Sequence, residues 1–241
     1  MNRLAKCIKF QFVNTTKSTV GFLGIYTAIS LALLIMFLNL NDSNSNGSIS
    51  SGFYIGGSVY AFVYVIANYK AMFNYLLIFG NTRKNIFLSS AITSIMLSIL
   101  LSVVSILSLF IENVLSKVFL YNNSANLLSL IYNSSNYASE FLWFTAFFIM
   151  ICSFSMLYGS LAYKFGKVFV TVFWVGFGVS WMVLPIISGM NNVSIFITAL
   201  KTFFCIGVTN GILLSPVNFI ITAMIINAAA YVISRRQSQI A

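Results

Sequence analysis

The residues of this chain that come nearest to a chemical motif are Gly159, Gly166 and Lys167, within Gly-Ser-Leu-Ala-Tyr-Lys-Phe-Gly-Lys. A phosphate-binding loop needs Gly-x-x-x-x-Gly-Lys-Ser/Thr, so that backbone amides and the lysine cradle phosphate oxygens. Here the glycine spacing is wrong and Val168 stands where the hydroxyl belongs, so no nucleotide or cofactor site is expected in the chain. Three cysteines, Cys7, Cys152 and Cys205, lie scattered without metal-ligand spacing, and there is no histidine. Neither a disulfide framework nor a zinc site follows from that pattern. Intramembrane hydrolysis would need a base, a metal or an activated nucleophile inside the bundle. The three carboxylates, Asp42, Glu112 and Glu140, all fall at or beyond the ends of apolar runs. The chain is therefore not expected to be an enzyme.

The stretch with most to say is Tyr69-Lys-Ala-Met-Phe-Asn-Tyr-Leu-Leu-Ile-Phe-Gly-Asn-Thr-Arg-Lys-Asn-Ile-Phe87. Residues 71–79 are expected to form a short helix. Gly80 is suited to end it, because glycine adopts positive φ without a Cβ penalty. Thr82 is a natural N-cap for the next helix, and Arg83 and Lys84 mark a polar interface. Phe73, Tyr75, Leu76, Leu77, Ile78 and Phe79 make this short helix apolar although it lies between membrane runs. It needs a surface to cover: headgroups, its own bundle or a protein partner.

The elements that hold this loop are apolar runs. With 59% hydrophobic and 7% charged residues among 241, the chain has lipid as its solvent. A net charge of +10 would raise nucleic acid as a partner, but the basic residues sit in short segments between apolar runs and build no polar face. No nucleic acid is expected. Crossing the hydrocarbon takes about 20 apolar residues. Five runs qualify: Thr19 to Leu40, Phe87 to Ile111, Phe141 to Tyr163, Val168 to Ile187 and Ile212 to Ile233. A sixth, Gly52 to Asn68, is shorter but within range. The expected fold is all-α, a polytopic single domain over 1–241 with six spans at about 19–40, 52–68, 87–111, 141–163, 168–187 and 212–233. Insertion is expected through the first span, with no removable leader.

Charge placement agrees with that division. With the N-terminus inside, Arg3, Lys6, Lys9, Lys17, Lys70, Arg83, Lys84, Lys164, Lys167, Arg235 and Arg236 are cytoplasmic and only Lys117 and Lys201 are outside. That is the asymmetry of a positive-inside protein with both termini in the cytoplasm. Within residues 1–18, Arg3, Lys6 and Lys9 recur at helical spacing opposite Leu4, Ile8 and Phe12, so an N-terminal amphipathic helix is expected. Residues 195–208 are read as an interfacial or re-entrant helix of the last outer loop. No charged residue stands at mid-membrane, which counts against ion-coupled transport. Gly52-x-x-x-Gly56 and Gly176-x-x-x-Ser180 suit close helix contacts, within one subunit or between two.

Phe73, Leu76, Gly80, Asn81-Thr82-Arg83-Lys84 and Phe87 resemble the first cytoplasmic loop of type-two ATP-binding-cassette (ABC) exporter permeases, where a Gly-x-Ser/Thr-Arg-Lys/Arg element follows a coupling helix. Gly159 to Lys167 is similar to that family's tight turn between the fourth and fifth spans. The likeness covers essentially the whole chain. It implies a permease that pairs with a second copy or a paralogue and works with a separate ABC ATPase subunit, which supplies ATP and Mg²⁺ chemistry. It also implies that Phe73, Leu76, Leu77, Gly80, Arg83 and Lys84 couple to that ATPase, and that an antimicrobial peptide, drug or lipid is exported. The alternatives are a non-transporting membrane component of a sensing or resistance system, or a secondary transporter. The Asn, Ile, Lys and Phe bias points to an AT-rich bacterial genome, and so to a bacterial cell membrane.

Overall fold

The computed structural model describes residues 3–40, 49–119, 127–132, 136–188, 198, 200–208 and 210–235. The described residues are helical wherever they are regular, and none is in a strand. The helices are α1 (Arg3–Leu40), α2 (Ile49–Ile78), α3 (Arg83–Phe119), α4 (Leu127–Tyr132), α5 (Tyr137–Ser188) and α6 (Gly211–Arg235). Helix is what lipid demands, because every backbone amide must be satisfied within its own segment. Among the described residues, four helical stretches are long and apolar enough to cross a membrane: Gly52–Ile78, Arg83–Val114, Tyr137–Gly176 and Gly211–Arg235. The chain is thus built as a membrane-embedded helical bundle.

The third of these stretches is interrupted. Gly166 has φ 65° and ψ −147°, outside the helical region and open to glycine without strain. The ring of Tyr158 lies 4.7 Å from that of Phe173. In a straight helix those two positions would stand about 22 Å apart. The chain therefore folds back on itself at Gly166, between Lys164 and Lys167, where the sequence places the turn between the fourth and fifth spans.

Two expected elements take a different form. The amphipathic N-terminal helix is not separate: α1 runs unbroken from Arg3 to Leu40. The short helix expected over residues 71–79 is likewise not separate: α2 continues through Tyr69 and Lys70 to Ile78. Neither joint carries a Pro or Gly, and a helix without a breaker continues where its backbone bonds can. Along α1, Thr19 meets Tyr60, with 3.2 Å between hydroxyls, and Tyr26 packs on Phe53 at 4.8 Å. The middle of α1 thus stands beside the first half of α2. Residues 41–48 of the expected outer loop 41–51, most of 120–135, and 189–197 lie outside the described residues, as does Arg236.

A main core joins α2, α3, α5 and α6 through Phe53, Leu97, Leu101, Phe144, Phe148, Met156 and Phe219, all almost fully buried. Trp143 meets Phe144 and Phe219 edge-on at 5.4 and 5.5 Å. Small residues bring α3 and α5 close. Ser94, Ser98 and Ser102 each donate to the carbonyl four residues back and present the same face to Met156, Cys152 and Thr145. Gly159 does the same between α5 and α2, since a Cβ there would lie 3.0 Å from Cβ and Cγ of Tyr69. Before α6, the helical residues 200–203 lead into a turn that lays Phe203 and Phe204 on Phe219, at 5.6 and 5.4 Å.

Candidate functional site

The α2–α3 corner is built by local chemistry that the sequence announces. Gly80, at φ 72°, ends α2. Its amide donates to the Leu77 carbonyl at 2.9 Å, and the Asn81 amide reaches the Leu76 carbonyl at 3.2 Å. Those two bonds are the paired 5→2 and 6→1 bonds of a Schellman cap. Asn81 adds its side-chain Nδ2 to the Leu76 carbonyl at 3.2 Å. Two residues later Thr82 caps α3: its carbonyl accepts from Ile86 N at 3.0 Å and its Oγ1 from Asn85 N at 3.4 Å.

Helical phase then divides the apolar residues into two sets. Phe73 and Leu76 are buried and Leu77 is half-buried, in a second cluster with Cys7, Tyr69, Ile86 and Tyr163. Tyr163 from the α5 turn packs on Phe73 at 5.2 Å and donates its hydroxyl to Asn74 Oδ1 at 2.7 Å. From α1, Phe10 stacks on Tyr75 at 5.4 Å. On the opposite face Ile78 is 82% exposed and Phe79 64%. Of the residues named for partner contact, Phe73, Leu76 and Leu77 are thus turned inward, and the exposed apolar side chains are three that the set does not include. Phe73, Leu76 and Leu77 brace the corner from within the chain, and the outward apolar surface belongs to Tyr75, Ile78 and Phe79. The sequence alone could not make that division, because apolar residues stand on nearly every face of the segment and its neighbours in α1, α3 and α5 decide which side is covered.

Beside the tip lies an open groove of about 500 Å³ lined by Lys6, Cys7, Phe10, Tyr75, Phe79 and Asn81, among others. Burial pushes the Cys7 thiol above its ordinary pKa, because a thiolate loses hydration in the cluster. Arg83 and Lys84 turn the other way. They line a pocket with the end of α6, and Arg83 Nη1 donates to the Arg235 carbonyl at 3.3 Å. The basic residues of α3 and α6 thus gather at the end of the bundle that carries the corner.

A second constellation, unread in the sequence, joins α1, α2 and α3. Gln11 accepts from Thr93 Oγ1 at 3.1 Å and donates to Ser90 Oγ at 3.3 Å. Asn14 donates to Asn68 Oδ1 at 3.3 Å, and Tyr64 to Thr15 Oγ1 at 3.1 Å. These side chains border a cavity of about 50 Å³, room for water-sized molecules only. Its lining carries no charged side chain: the polar groups share it with Val65, Met72, Leu97 and Met156. The signal was the spacing Gln11, Asn14, Thr15, Ser18, Thr19 on one helical face, opposite Ser90, Thr93 and Ser94. A search for charged residues passes over it.

The chain matches no protein-family model, no curated protein and no solved structure.

Proposed function

We propose that this chain is the membrane-spanning permease subunit of an ATP-driven exporter, with six spans and both ends in the cytoplasm. It pairs with a second copy or paralogue and is driven by a separate ATPase subunit that holds ATP and Mg²⁺. The observation that carries this reading is the α2–α3 corner, an apolar tip on a braced, double-capped turn at the basic end of the bundle. A motor transmits force only through a contact that does not yield. The inner cluster supplies stiffness, while Tyr75, Ile78 and Phe79 supply a surface that loses water when a partner covers it. Phe73, Leu76, Leu77 and Gly80 act in coupling by holding that surface in place. The cargo is an antimicrobial peptide, drug or lipid.

The test is purification of the tagged chain from its native membrane in mild detergent, with mass spectrometry of what co-purifies and an ATPase assay on the eluate. A Walker-motif subunit with vanadate-sensitive activity, lost on Ile78→Asp/Phe79→Asp, is the expected result. A chain that elutes alone, or retains its partner when both tip residues are charged, refutes the coupling role of the corner. The topology is checked separately by labelling cysteines placed at Lys84 and Lys117, which are expected on opposite sides of the membrane.

A further inference from the structure

Arg83, Lys84 and Arg235 converge on one open pocket of about 540 Å³, whose remaining walls are Tyr231 and Ser234. Two helices deliver them, Arg83 and Lys84 from the first turn of α3 and Arg235 from the last turn of α6. The Arg83 bond to the Arg235 carbonyl ties the two ends together. One arm of the guanidinium makes that bond, and the rest of its five-donor fork is left for an anion. Phe87 and Tyr231, with ring centroids 5.3 Å apart, fix the wall behind. The Ser234 hydroxyl is already committed to the Tyr231 carbonyl at 3.0 Å.

No carboxylate among the described residues lies near enough to neutralise this group. Glu112 stands 28 residues along α3 from Lys84, about 42 Å away at helical rise. Glu140 belongs to the first turn of α5, far from the Gly166 reversal that shares the basic end. The first turn of α3 contributes a partial positive charge and the last turn of α6 a partial negative one, which Arg83 meets at the Arg235 carbonyl. Three cations held together with no counter-charge among the described residues repel one another, and an anion that enters relieves them.

The apolar surroundings say which kind of anion fits. One helical turn toward the membrane from Lys84 stands Leu88, 42% exposed, and one turn from Arg235 stands Val232, 54% exposed. Both helices are among those long and apolar enough to cross a membrane, so the cations stand at helix ends and each helix carries an exposed apolar side chain one turn inward from them. A soluble anion uses only the charged part. We propose that this pocket is a phosphate-binding site filled by the headgroup of an anionic phospholipid. The phosphate lies among Arg83, Lys84 and Arg235, and the chains lie along Leu88 and Val232. This inference does not depend on the exporter reading, since it concerns this chain and lipid alone.

The test is native mass spectrometry of the full chain in neutral detergent, doped with phosphatidylglycerol or with phosphatidylcholine of the same acyl chains. The chain is expected to retain phosphatidylglycerol preferentially. Each basic residue near a membrane surface is worth roughly a factor of five in binding, so Arg83→Gln/Lys84→Gln/Arg235→Gln weakens retention by about 100-fold. Lys84→Gln/Arg235→Gln changes only exposed positions, guards against misfolding, and is expected to cost about 25-fold on the same scale. A charge-matched control, Lys9→Gln/Lys164→Gln/Lys167→Gln, also alters exposed positions and is expected to keep the lipid. Equal retention by parent and triple variant, or equal loss in the control, overturns the site. Displacement of phosphatidylglycerol by inorganic phosphate at equal concentration overturns the lipid as occupant and assigns the pocket to free phosphate.

Discussion

Replacing Phe73 and replacing Ile78 are opposite experiments on the same turn of helix. Phe73 is 2% exposed, between Tyr69 and Tyr163, with ring centroids at 5.8 and 5.2 Å. Truncating a fully buried phenylalanine to alanine costs about 3–5 kcal/mol, because the cavity it leaves collapses only in part. Ile78 is 82% exposed, so under a fifth of its surface is packed. At about 1.5–3 kcal/mol for complete burial, Ile78→Ala costs roughly 0.5 kcal/mol. Cys7 is a reporter in the same cluster, 3% exposed. In a Cys152→Ala/Cys205→Ser background, maleimide reaches Cys7 only when the brace opens. If labelling follows the opening equilibrium, a 3 kcal/mol loss accelerates it by about 100-fold, whereas 0.5 kcal/mol gives only about twofold. Phe73→Ala should therefore expose Cys7 and Ile78→Ala should not. If Phe73→Ala left Cys7 as protected as in the parent, or Ile78→Ala exposed it equally, the division of this helix into brace and tip would be refuted.

Further outcomes follow from the same geometry. Gly80→Ala adds a Cβ that meets nothing within 4 Å, so its cost is conformational alone, about 1 kcal/mol for alanine at φ 72°. Gly80→Asn should cost less, since asparagine tolerates that region, and thermal melts of the two in detergent rank them. Gly159→Ala forces Tyr69 and α2 away by a few tenths of an ångström, and overpacking of that kind costs about 1–3 kcal/mol. Gly159→Leu prevents α2 and α5 from docking, and an alanine variant that melts above the parent would show that the close approach is not needed. Because burial raises the Cys7 pKa, the folded corner favours the neutral thiol. That contribution is complete below the ordinary thiol pKa and is lost as pH rises through the raised one. Labelling of Cys7 should accordingly steepen at alkaline pH beyond that of a thiol placed on the exposed surface, and identical pH profiles would contradict it.

The caps of the α2–α3 corner are legible in the sequence because they are local. Gly80 and Thr82 do their work through bonds to residues within five positions, and the structure shows both as read. The turn at Gly166 is legible for the same reason. What the sequence could not settle is continuity. Hydropathy ends a run where Tyr69 and Lys70 begin, but a helix ends only where a backbone bond is lost, and none is lost before Ile78. The same holds at the start of α1.

By itself, then, the sequence determined the solvent of this protein, the helical class and the residues that stop its helices. It also showed that the basic residues collect in short segments between apolar runs. These follow from composition, period and bonds that span a single turn. Tertiary structure alone decided that Phe73 and Leu76 face inward while Ile78 faces out, since that choice belongs to Cys7, Phe10 and Tyr163 arriving from elsewhere in the chain. It likewise decided that Gln11 meets Thr93 and that Arg83 meets the end of α6. An apolar or polar residue carries no record of its partner; contacts across 80 or 150 residues exist only once helices have packed.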